Sequence, residues 1–168
     1  FAGKVNKEII SRLSTLGVRA VGISGIDAGI LEVERETDPP GLGFVGRIVG
    51  VDSHLLHHLI ESGVTPVIAP VAADQRGQMY NINADTVASE IAAALMAETI
   101  VFVTDVPGVL DACGKLIPKV TPEIARQLRA EGTINRGMIP KVEAALAPLC
   151  KVAESHIIDG SSPNSLID

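Results

Sequence analysis

Apolar residues recur along this chain at two periods, and the change from one to the other marks out its elements. In "VNKEIISRLSTLG" the residues Val5, Ile9, Ile10 and Leu13 fall at helical spacing, with Gly17 as a C-terminal stop. "RAVGIS" reads as a strand. "ILEVERE" and "GFVGRIVGV" are extended segments separated by "TDPPGLG", whose paired prolines and glycines predict a loop and hence a hairpin-like excursion. Asp52 or Ser53 caps the helix "HLLHHLIESG", and "TPVIAPV" is expected as a buried strand.

The second half repeats the alternation. After the turn-rich "ADQRGQ", the segment "ADTVASEIAAALMA" lines up Val87, Ile91, Ala94 and Leu95 on one helical face, and alanine favours the helix throughout. "TIVFVTDV" reads as an unbroken apolar strand. "TPEIARQLRAEG" is a short helix with Thr121 as cap, Pro122 in the first turn and Gly132 as stop. "MIPKVEAALAPLCKVA" predicts another helix, and "SHIID" a last strand. Strands alternating with helices mean an α/β fold with a mainly parallel sheet.

Composition narrows the functional classes. The 168 residues are 46% hydrophobic, enough for about one ordinary domain with a core. The formal net charge is -6 with no basic run, and aromatics are 2%, so the electrostatic footprint and stacking platforms of nucleic-acid binders are missing. No apolar run approaches the ~20 residues of a membrane span. Cys113 and Cys150 stand 37 residues apart without ligand-spaced partners, which points away from a zinc site or disulfide framework and towards the cytoplasm. A small-molecule partner is expected. The chain opens on Phe1, as a piece of a longer protein would.

Ligands of such sheets gather where strands end and helices begin, because amide N–H groups and the helix dipole attract anions there. Four polar clusters occupy junctions of that kind: "SGIDAG", "NINAD", "TDVPG" and "NRGMIPK". Taken singly, each has an ordinary explanation. Asn83 or Asp85 caps a helix, Asn81 closes a turn, Asp105 with Pro107 and Gly108 makes a turn, and Lys141 extends to water. Taken together they supply what phosphoryl transfer needs: an amide-rich anion site, a lysine to neutralise developing charge, and an acid, Asp85, to hold that lysine. No GxxxxGK[ST] and no GxGxxG is present, which sets aside P-loop NTPases and dinucleotide enzymes.

In order and spacing, "AGKVNKEI", "RAVGISG", "GFVGRIVGVD", "PVIAPV", "YNINADTVASEIAAAL", "TDVPGVLD", "GMIPKVEAAL" and "HIIDG" resemble the amino acid kinase family, and within it the acetylglutamate kinases. The resemblance spans nearly the whole chain. It implies a three-layer α/β/α sandwich, with residues 1–83 in the acetylglutamate-binding and dimerisation lobe and 84–168 in the nucleotide-binding lobe. It implies Asn81 and Asn83 as substrate-binding residues, Asp85 as the acid that organises catalytic lysines, and Lys141 as the lysine on the transferring phosphoryl group. Asp105, Val106, Pro107, Gly108, Val109 and Leu110, with Thr133, Ile134 and Asn135, match the stretches lining the ATP site. The implied reaction is ATP-dependent phosphorylation, with Mg²⁺, of the γ-carboxylate of N-acetyl-L-glutamate in arginine biosynthesis, by a cytoplasmic homo-oligomer.

The resemblance also marks departures. The family's opening strand with a catalytic lysine before paired glycines, its second glycine-rich loop and its substrate-carboxylate arginine have no counterpart here, nor has its closing Gly- and Thr-rich segment. The chain therefore reads as the central and C-terminal part of such a kinase, roughly two thirds of it. Ile26 and Ala28 stand where many relatives have lysine and glycine, and Arg136 where they often have a small or acidic residue. Two alternatives remain open: a sister kinase for carrier-linked aminoadipate, aspartate or glutamate, or a non-catalytic nucleotide-binding fragment. His54, His57 and His58 read as a helix face, Gly3 to Lys7 as a solvated helix start, and Tyr80 as packing beside the substrate strand.

Overall fold

Helix α1, Lys4–Thr15, ends as expected, with Gly17 in the left-handed region at φ 78°. The computed structural model describes residues 1–134, 137–163, 165 and 166, and the chain divides into two units, residues 1–95 and 96–168.

In the first unit, strand β1 (Ala20–Ser24) leads through a short 3₁₀ turn, Asp27–Gly29, into the hairpin of β2 (Leu31–Arg35) and β3 (Gly46–Val51), which is antiparallel. This is the excursion predicted around "TDPPGLG". Helix α2, His54–Glu61, follows; Ser53 is the cap position, but it is the Asp52 carboxylate that accepts the His54 N–H at 2.9 Å. Strand β4 (Thr65–Ala69) then returns parallel to β1, with Ser24 opposite Ala69. "TPVIAPV" departs from the expectation of a buried strand: only Ala69 of β4 is buried, and Pro70, which has no N–H for a ladder, separates β4 from the next strand.

Strands β5 (Val71–Ala73) and β6 (Met79–Asn81) form a small antiparallel hairpin around the "ADQRGQ" turn. Helix α3, Ala84–Leu95, completes the unit. Ile30, Leu31, Val33, Leu56, Ala72 and Ile82 are core residues, joined from α3 by Val87 and Ile91. Of the face read from the sequence of α3, Val87 and Ile91 are buried and Ala94 and Leu95 half-buried, while Ser89 and Ala92 are buried as well; burial of apolar surface contributes ~25 cal/mol per Å².

Helix α1 covers β1 and β4 through an unusual contact. Asn6 is 3% exposed and donates Nδ2–H to Val67 O at 2.9 Å, while a Cβ added to Gly22 would lie 1.8 Å from Asn6 Oδ1. The helix approaches this closely because residue 22 has no side chain.

In the second unit, β7 (Thr99–Thr104) pairs parallel with β8 (Glu154–Asp159). Ile100 and Phe102 point inward, but Val101 and Val103 are exposed, so β7 alternates where the sequence reads as evenly apolar. Helix α4, Pro122–Ala130, carries the predicted cap, Thr121 Oγ1 accepting from Ile124 N. Helix α5, Met138–Leu146, is shorter than predicted, because the segment with Pro148 tightens into a 3₁₀ turn, Ala147–Cys150. The mixed α/β class with parallel strands holds; the described strands pair as two parallel and two antiparallel ladders.

Candidate active site

The "NINAD" junction joins β6 to α3. Asn83 is its helix cap: Oδ1 accepts the Thr86 N–H at 3.1 Å, and its backbone carbonyl accepts from Val87 N at 3.0 Å. This settles which of Asn83 and Asp85 closes the helix. Asp85 stands in the first turn of α3, where a carboxylate interacts favourably with the positive end of the dipole, and it is half-buried. Asn81, the last residue of β6, is exposed and donates its backbone N–H to Phe44 O at 2.9 Å. Alternate positions 81, 83 and 85 thus pass from a strand end through a cap into a helix.

Asp74 prepares this junction from the other side of β6. One oxygen, Oδ1, accepts the backbone N–H groups of Arg76 at 2.9 Å and Gln78 at 3.0 Å; the other, Oδ2, accepts the Tyr80 hydroxyl at 3.1 Å. Burial works to raise the pKa of Asp74 and is outweighed by those three hydrogen bonds, which hold the carboxyl below its ordinary range. Burial and the adjacent carboxylate raise that of the Tyr80 phenol. An open polar groove of about 560 Å³ runs alongside, lined by Glu32, Glu34, Arg35, Asp74, Arg76 and Tyr80. Sequence reading assigned Tyr80 to packing and passed over Asp74; the signal was an Asp opening a glycine turn six residues before a tyrosine.

The loop "SGIDAG" is also built around an acid. Asp27 Oδ2 accepts from Ser24 N at 2.7 Å and from Ser24 Oγ at 2.9 Å, and Ala28 adopts φ 51°, the left-handed region in which glycine is at ease.

In the second unit, Asp105 follows β7, with Thr104 Oγ1 donating to its Oδ1 at 3.3 Å. Asp105, Val106 and Pro107 lead to Gly108, at φ 131°, where a Cβ would press within 2.9 Å of Leu116 Cδ1. Val109 is buried, and Leu110 bridges Leu116 across a turn that Asp111 closes by accepting from Cys113 N and Lys115 N. Val109 and Ile134 belong to one core cluster with Leu128 and Val142, so two stretches matched to the nucleotide site are packed together. They open on different clefts: Pro107, Gly108 and Val109 line one of about 560 Å³, and Ile134 one of about 400 Å³ between α4 and α5. Thr133 and Lys141 are half-buried, Lys141 in the first turn of α5 beside buried Val142. Asn135 and Arg136 lie outside the described residues.

His54, His57 and His58 remain a helix face. His54 Nδ1 pairs with Asp52, and no group of three or more metal-ligating side chains suited to a metal occurs among the described residues.

Three comparisons set the chain among known proteins. The sequence model of the amino acid kinase family matches residues 1–159. An acetylglutamate kinase of Campylobacter curvus is 48% identical over 167 residues, 99% of this chain and 59% of that protein. One of Synechococcus elongatus is 47% identical over 169 residues, 98% of this chain and 56% of that protein. The chain therefore spans less than two thirds of the length of these curated relatives. Among solved structures, N-acetylglutamate synthase of Neisseria gonorrhoeae, complexed with coenzyme A and N-acetyl-glutamate, superposes with a TM-score of 0.86 at 23% identity, over 99% of this chain and 38% of that one.

Proposed function

The chain belongs to the amino acid kinase family, and from that premise we propose that it is the central and C-terminal part of an acetylglutamate kinase, transferring the γ-phosphoryl group of ATP to the γ-carboxylate of N-acetyl-L-glutamate. The observation that carries this reading is the 48% identity, sustained over 167 residues, to a protein of that name.

The chemistry suits the residues. The acceptor carboxylate is ionised at neutral pH and needs no general base; the barrier is charge repulsion as it approaches a phosphoryl group. Lys141 supplies a compact positive charge where that charge grows, and Asp85 organises lysines from the start of α3. Asn81 offers side-chain hydrogen bonds to the acceptor. The segment Asp105–Leu110, with Thr133 and Ile134, receives the nucleotide through backbone groups, since Val109 and Ile134 are committed to the core. Mg²⁺, held by phosphate oxygens, would neutralise further charge.

The protein is further proposed to be a cytoplasmic homo-oligomer. No helix among the described residues is long and apolar enough to cross a membrane, Cys113 and Cys150 are exposed thiols suited to a reducing compartment, and α1 leaves Val5 and Ile9 exposed on one side.

A coupled assay of ADP release on the complete polypeptide encoding these residues tests the reading, with N-acetylglutamate, aspartate and glutamate compared. Release that depends on N-acetylglutamate alone is expected. Preference for another carboxylate would reassign it to a sister kinase, and ATP binding without release on any acceptor would make it non-catalytic.

A further inference from the structure

We infer that Tyr80 and Asp74 form a positioning pair that fixes the strand presenting Asn81 and thereby sets affinity for the carboxylate acceptor, an inference that rests on the function proposed above. Neither residue touches the reacting atoms. Strands β5 and β6 are three residues each, too short to hold their own register in water. The site of Asn81 therefore depends on what closes the turn of this hairpin and on what holds β6 from outside it.

The tether is visible on both sides. Towards the turn, one Asp74 carboxylate closes the loop through the Arg76 and Gln78 amides, and its second oxygen receives the Tyr80 hydroxyl. Towards the β2–β3 hairpin, the Tyr80 ring centroid lies 6.5 Å from that of Phe44, and a Cβ at Gly46 would come within 2.8 Å of Tyr80 Cβ. The next residue, Asn81, donates its N–H to Phe44 O. Tyr80 thus links its own hairpin's turn and the β2–β3 hairpin to the strand that ends in Asn81.

A purely structural aromatic here would be phenylalanine, because a hydroxyl on a residue only 6% exposed is unfavourable unless paired. It is paired with the carboxylate that organises the turn, so the phenol couples turn geometry to strand position. Asn81 is exposed beside it, at the end of β6.

The experiment compares Tyr80→Phe, Asp74→Ala and Asp74→Asn in the complete polypeptide. Tyr80→Phe keeps the packing and removes one charge-assisted hydrogen bond. KM for N-acetylglutamate is expected to rise about fivefold or more, with kcat and KM for ATP within about twofold. Asp74→Ala should act in the same direction and more strongly. Asp74→Asn should largely restore the acceptor KM, since its oxygen still accepts the two amides and its NH₂ donates to the Tyr80 oxygen.

An unchanged acceptor KM in Tyr80→Phe, a parallel loss in both substrates with the melting temperature, or failure of Asp74→Asn to rescue would overturn the pair. Backbone hydrogen exchange at Asn81 and Ile82 tests the tether without turnover: Tyr80→Phe should accelerate it there, and unchanged exchange would also overturn the pair. A wild-type protein with no acetylglutamate-dependent turnover would sink the proposed function, while exchange still decides whether the tether exists.

Discussion

Lys141 stands in the first turn of α5, where a cation opposes the helix dipole. If it neutralises charge on the transferring phosphoryl group, Lys141→Ala should lower kcat by roughly a hundredfold or more while ATP binding changes little. Lys141→Arg should not rescue fully, because a planar fork cannot replace a compact ammonium. Asp85→Asn is expected to give a similar but smaller loss. Turnover at saturating substrates, with circular dichroism as the folding check, measures both; near-wild-type turnover in Lys141→Ala would end the assignment. Asn83 is a cap and is proposed to bind the acceptor, and two variants separate these duties. Asn83→Asp keeps an acceptor for Thr86 N and complements the dipole, so its melting temperature should hold, but its added charge should repel an acidic acceptor and raise KM about tenfold. Asn83→Ala should cost about 1 kcal/mol of stability. At this scale the cap at the start of α3 was legible, as Asn83 or Asp85, because short polar side chains before an alanine-rich run are ordinary helix starts. Asp74 was not, because an aspartate in a glycine turn has an ordinary explanation and its bond to Tyr80 depends on the hairpin between them.

The docking of α1 depends on the Asn6–Gly22 contact rather than on apolar burial alone. Gly22→Ala would drive a methyl group into Asn6 Oδ1, and Asn6 is held in place by its bond to Val67 O. A loss of roughly 1–3 kcal/mol is expected, as for other overpacked interiors, with a matching drop in the denaturant midpoint. Removing the obstacle with Asn6→Ala should make the double variant less unstable than the sum of the two single changes, which a double-mutant cycle reads directly. The helices were the readable elements: the glycine stop of α1, the Asp52 carboxylate at the start of α2, and the Thr121 cap and Gly132 stop of α4 lie where the sequence places them. The misreadings have physical causes. Strands of three residues carry too little periodicity to stand out in β5 and β6. Val101 and Val103 in β7 are apolar but exposed, and apolarity alone does not say which face is covered. Pro148 shortened α5 where an alanine-rich pattern continued past it.

For the whole molecule, the strongest expectation is self-association through α1. Val5 and Ile9, one turn apart on α1, are exposed, as are Phe1 before the helix and Leu16 at its end, so this segment presents apolar surface to water. Light scattering of the complete polypeptide at micromolar concentration should give at least a dimer, and Val5→Glu with Ile9→Glu should shift it towards monomer; a wild-type monomer would refute this. Fold class was legible at this scale because strands and helices alternate, whereas the two antiparallel ladders rest on pairings that the chain declares only once folded.

The Tyr80 hydroxyl against Asp74 also has an optical consequence. These 168 residues contain no tryptophan and one tyrosine, so Tyr80 is their sole ultraviolet emitter of any strength, placed one residue from Asn81. Excited phenols readily pass their proton to a neighbouring carboxylate, and their emission dims when they do. Any ligand that loosens or tightens the Asp74 contact should therefore change the Tyr80 emission, giving a label-free binding signal whose Tyr80 contribution the Tyr80→Phe variant isolates.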